Sequence, residues 1–75
     1  MTLALDGPAR VRLAVYDALG REVAVLLDGP LGAGTHAAPF DGSALPAGVY
    51  VARAVLTPAS GAAARSLMRP ITVAR

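Results

Sequence analysis

Val11-Arg12-Leu13-Ala14-Val15-Tyr16-Asp17-Ala18-Leu19-Gly20-Arg21-Glu22-Val23 is the stretch on which the reading of this chain turns. Val11, Leu13 and Val15 fall on one side of a two-residue period, and Arg10, Arg12, Ala14 and Tyr16 fall on the other. That alternation predicts a strand over 10–16 with one buried face. Asp17-Ala18-Leu19-Gly20 follows as a tight hairpin turn. The Asp carboxylate suits the first position, where it accepts from nearby backbone N–H groups, and Gly suits the last, where φ turns positive. The returning arm is expected over Arg21–Leu27, with Val23, Val25 and Leu27 on one face and Asp28-Gly29-Pro30 as its end.

Outward from this hairpin, short apolar runs alternate with turn clusters. Leu3–Leu5 reads as a first strand closed by Asp6-Gly7-Pro8, and Thr35–Phe40 as a weaker strand after Gly32-Ala33-Gly34. Pro39 cannot donate to a ladder, which predicts an edge or a bulge there. Asp41-Gly42-Ser43 and Leu45-Pro46-Ala47-Gly48 are successive turns before a strong strand over Val49–Leu56. Arg53 is expected to face solvent, which places Tyr50, Ala52, Ala54 and Leu56 inside. Thr57-Pro58-Ala59-Ser60-Gly61 connects to a last strand over about 64–74, where a bulge near Arg69-Pro70 would reconcile Arg69 with its apolar neighbours at the same alternation. Turn signals every 8 to 12 residues or so indicate an all-β antiparallel sandwich of six to seven strands. A single sheet would leave apolar faces uncovered.

Composition agrees. The 75 residues suffice for one domain, 1–75. Hydrophobic residues make up 55% but aromatic ones only 4%, so the core must be built from Val, Leu and Ala. Ala favours helix, yet 8 Gly and 6 Pro leave few windows without a breaker. With no Cys, disulfide staples, thiol catalysis and cysteine metal sites are all excluded. The net charge of +2 comes from scattered arginines with no basic run, which argues against nucleic-acid binding. No apolar run approaches the ~18 residues that cross a bilayer. Residues 1–6 lack the basic leader and apolar segment of a signal peptide. The expectation is a part of a longer exported protein.

The sequence carries no reactive constellation. His36 is the single histidine, with no partner at ligand spacing. Ser43 lacks the strand–turn–helix setting of a nucleophile, and Gly32-Ala33-Gly34 is too short to hold a dinucleotide. Asp6, Asp17, Asp28 and Asp41 lie at strand ends, where turn chemistry accounts for them. A calcium site built from two such ends is a minor alternative. The expectation is a module that is not an enzyme and takes no cofactor or metal.

The opening stretch resembles the "V-x-L-x-V-Y-D-x-x-G-R-E-V" hairpin of the type A C-terminal sorting domains of the type IX secretion system. The resemblance continues through Leu26-Leu27-Asp28-Gly29, Ala33-Gly34-Thr35-His36, Phe40-Asp41-Gly42-Ser43 and Leu45-Pro46-Ala47-Gly48-Val49-Tyr50 to the last strand. It covers almost the whole chain in order. It departs from the family at Gly7-Pro8, where members usually carry "P-N-P" before the first strand. Related Ig-like modules occur in flagellar hook-capping proteins. The resemblance implies an Ig-like or fibronectin-III-like sandwich at the C-terminus of exported cargo. Outer-membrane secretion machinery reads such domains, in passage through the periplasm to the cell surface or the medium. The recognition candidates it implies are Asp17, Gly20, Arg21, Gly48, Tyr50, Ile71, Val73 and Arg75. The competing expectation is an extracellular structural module that self-associates through strand edges.

Overall fold

The computed structural model describes residues 2–40, 42 and 45–74. Among the described residues six strands are formed: β1 (Thr2–Leu5), β2 (Ala9–Tyr16), β3 (Glu22–Leu31), β4 (Gly34–Ala37), β5 (Gly48–Pro58) and β6 (Arg65–Val73). They make a four-stranded antiparallel sheet in the order β3-β2-β5-β6 and a two-stranded antiparallel sheet of β1 and β4. The chain is a small all-β sandwich. Leu3 and Leu5 of the small sheet pack with Val11, Leu13 and Val15 of β2 and with Tyr50, Ala52, Ala54 and Leu56 of β5. Val11 and Val15 are wholly buried.

The alternation over 10–16 is thus realised, and so is the inward face expected for β5, with Arg53 exposed. Ala14 is the exception on β2: it points away from the core but is buried all the same. It sits between Val25 and Arg53 in the ladder, and a methyl that small is covered by its neighbours.

The second arm of the hairpin departs from simple alternation. Leu13 pairs with Leu27 but Ala14 pairs with Val25, and Val15 pairs with Ala24 but Tyr16 with Glu22. Leu26 and Val23 are therefore extra residues, each forming a bulge. A bulge shifts the phase of all later side chains, so Ala24 takes the inward place and Val25 is left 46% exposed. The strand also runs through Asp28-Gly29-Pro30 to Leu31 instead of stopping there. Pro30 is tolerated because β3 is an edge strand.

Strand β4 covers only Gly34–Ala37, and Pro39 lies beyond it. Strand β5 extends past Leu56 to Pro58. Strand β6 passes through Pro70 with no register shift, so the bulge expected near Arg69-Pro70 is absent. Its position at the sheet edge lets Pro70 stay in line. Cross-strand partners share a face, and Leu67, Arg69, Ile71 and Val73 stand opposite Ala54, Ala52, Tyr50 and Gly48. All four are on the inner face. Ile71 and Val73 pack against the core, while Leu67 is 52% exposed because the narrow upper sheet does not reach over it.

Candidate functional site

The two sequence signatures meet at one end of the sandwich. Asp17, whose side chain is largely shielded, organises the β2–β3 turn. Its Oδ1 accepts from the backbone N–H groups of Leu19 and Arg21, both at 2.9 Å. Its Oδ2 accepts from Arg21 Nε at 2.9 Å. The backbone closes with Gly20 N–H donating to Asp17 O at 3.0 Å and Asp17 N–H donating to Arg21 O at 2.9 Å. Gly20 has φ +83°, a left-handed value that an L side chain resists. The Arg21 N–H bond is the main reason the Asp17 carboxyl lies below the usual carboxylate range, with the Arg21 side chain and Leu19 N–H acting in the same direction. Beside this turn, Arg12 Nη2 donates to both Glu22 carboxylate oxygens at 2.8 and 2.9 Å, which raises the Arg12 pKa.

The second signature forms the opposite wall. Tyr50 is buried, and its hydroxyl donates to Pro46 O at 2.6 Å. This bond ties the connection ahead of β5 to the strand it enters. Leu45 packs on the core from the same connection. Between the walls lies a cleft of about 380 Å³, lined by Asp17, Leu19, Arg21, Pro46, Val49 and Tyr50 among others. Its lining is mainly apolar, with the Arg21 guanidinium at the rim.

Of the recognition candidates, Asp17, Arg21, Gly48 and Tyr50 line this cleft, and Gly20 completes the turn beside it. Ile71 and Val73 do not line it. They stand behind it as the β6 partners of Tyr50 and Gly48. A methyl at Gly42 would come within 3.2 Å of Val73 Cγ2, so the absence of a side chain lets the backbone at Gly42 lie close against the last strand. Arg75, Asp41 and Ser43 lie outside the described residues. Sequence reasoning missed Leu19 and Val49, which are 78% and 59% exposed at the mouth of the cleft. For Leu19 the available signal was a large apolar residue within a turn, where polar residues are the norm; Val49 belongs to β5 and carried no such signal.

The Asp17 carboxylate that lines the cleft is engaged in the hydrogen bonds that hold the turn. His36 lies on β4, where its Nε2 donates to Gly32 O at 2.7 Å, since a carbonyl can only accept. Among the described residues no three His, Cys, Asp or Glu side chains cluster as a metal site would require. Also among them, no helix is long and apolar enough to cross a membrane. No protein-family model matches the chain, and neither a curated protein nor a solved structure matches it. The class that fold and site define is a small all-β sandwich with an apolar cleft at one end.

Proposed function

We propose that this chain is a non-catalytic sorting domain that directs an exported protein through the type IX secretion machinery to the cell surface or the medium. The observation that carries the reading is the meeting of the two signatures. Residues 17–21 and 45–50, distant in sequence, face each other across one cleft, with the last strand paired directly behind. The β2–β5 register, in which Tyr16 pairs with Val51, brings the two signatures onto one surface. The edge position of β6 supports the same reading, because residues 65–70 are exposed and can be gripped without unfolding the domain.

The test is a secreted reporter carrying residues 3–75 at its C-terminus, compared with one lacking residues 71–75. The expected result is export only with the intact domain. Equal export of both reporters would overturn the proposal.

A second reading, self-assembly through strand edges, is favoured by one observation. Met68, on the outer face of the edge strand β6, is 66% exposed. Exposed edges with apolar side chains pair with other copies unless blocked. Negative-stain images of concentrated protein separate the two: discrete small particles favour sorting, and filaments favour assembly.

A further inference from the structure

The upper sheet is two strands wide and the lower sheet four. The mismatch leaves a groove of about 420 Å³ along one side, away from the signature cleft. Its walls are Leu3 and Ala4 of β1 on one side and Leu67 and Arg69 of β6 on the other, with Leu13 and Ala54 between them. Strand β4 does not reach this groove, so the side of β1 that borders it is the one without a partner strand. Alternate N–H and C=O groups of a strand edge point outward and are met by water or by another strand.

On the inner face of β6, Arg69 lines this groove, and Arg65 lies past its end in a cavity shared with Leu5 and Asp6. Arg65, Leu67 and Arg69 stand opposite Leu56, Ala54 and Ala52 and so share one face, a cation on either side of an exposed leucine. Among the described residues neither arginine makes an ion pair: the two salt bridges use Arg12 and Arg21. Inward-pointing cations beside a half-covered apolar position are a known guard of open sheet edges. A matching strand would turn the same residues from guard into contact.

We propose that the groove between β1 and β6 receives an extended segment of another protein as the third strand of the small sheet. That segment's inward side chains read acidic–apolar–acidic. Main-chain bonds to β1 supply the general affinity and the alternate side chains supply the selectivity. The apolar residue covers Leu67, one carboxylate meets Arg69 in the groove, and the other reaches Arg65 past its end. A second copy of this chain does not fit the pattern. Strands β1 and β4 contain no acidic residue, and β6 is itself basic. Strand β3 carries Glu22 and Asp28, but Glu22 is held by Arg12 and the strand is interrupted by two bulges. The inference stands apart from the sorting proposal, since it concerns binding alone.

The probe is the synthetic peptide Ser-Glu-Thr-Val-Thr-Glu-Ser, compared with the same peptide carrying Lys in place of both Glu residues. Each is titrated into the 15N-labelled chain and followed by amide shifts. The expected result is saturable binding of the Glu peptide, about tenfold tighter than the Lys peptide because two partly exposed pairs change sign. The shifts should centre on the amides of 2–5 and 66–70. In the Arg69→Glu variant, whose fold is checked by circular dichroism, the preference between the peptides should shrink or reverse. Equal binding of the two peptides, shifts centred elsewhere, or a preference unchanged in Arg69→Glu would overturn the proposal. So would loss of the free groove to self-association, seen as the same amides shifting with protein concentration alone.

Discussion

Replacing Tyr50 by Phe removes one oxygen and leaves the ring, so it isolates the bond that ties the connection ahead of β5 to the strand it enters. The hydroxyl donates to Pro46 O at 2.6 Å from a buried ring. A bond of this kind contributes about 0.5–1.5 kcal/mol net, and a buried acceptor left unpaired adds to the loss. Pro46 is exposed, so water can reach its carbonyl and the expected loss stays near 1 kcal/mol. At about 0.05–0.15 kcal/mol per residue, the whole chain of 75 residues is stabilised by roughly 4–11 kcal/mol. A 1 kcal/mol loss then lowers Tm by about 4–8 °C for a domain of this size. Tyr50→Ala removes the ring too and should cost about 3–5 kcal/mol, approaching the unfolding limit. Thermal melts of the three proteins, followed by circular dichroism, test the sequence of effects. A Tyr50→Phe variant melting within a degree of the parent would refute the view that this hydroxyl anchors the connection ahead of β5.

Val15→Ala, at a wholly buried site, should cost about 2–3 kcal/mol in urea unfolding, whereas Val25→Thr on the bulged strand should stay within about 0.5 kcal/mol. Equal costs would contradict the bulge assignment. Gly20→Ala should lose about 1–2 kcal/mol from its φ of +83° alone, since a methyl there meets nothing within 4 Å. Folding lowers the Asp17 pKa, so the stability this group contributes is fully present above its unfolded value, near ~3.9, and is lost as pH falls through that value toward the lower folded one. Asp17→Asn should therefore melt earlier than the parent at pH 7 and converge with it in acid; a constant gap across that range would contradict the charge-based explanation.

The parts of this fold that local chemistry decides were legible in the chain. The Val11, Leu13 and Val15 alternation, the Asp17–Gly20 turn and the inward face of β5 each depend on residues within one or two positions of one another. What alternation could not show is where the ladder slips. Val23, Val25 and Leu27 look equivalent along the chain, but Leu26 and Val23 are bulged against β2, and that is a property of the pair of strands. Pro70 illustrates the same limit from the other side. Its missing N–H argues for an interruption, and only its place at the sheet edge makes an uninterrupted β6 acceptable. At the candidate site the signature residues could be marked from the sequence, but their convergence could not. Leu19 and Val49 acquire meaning only when the β2–β3 turn and the start of β5 are brought face to face.

The central claim is that the paired signatures form an export-recognition surface, and it is tested most directly with variants that keep the fold and alter only the mouth of the cleft. Leu19→Lys and Val49→Lys change exposed side chains, so circular dichroism should report an unchanged domain. Each is placed on a signal-peptide reporter in a bacterium with a type IX system, and the fraction of reporter outside the cell is measured. The account predicts that these folded variants stay in the periplasm while the parent domain is exported. Export of both variants at the parent's level would contradict it.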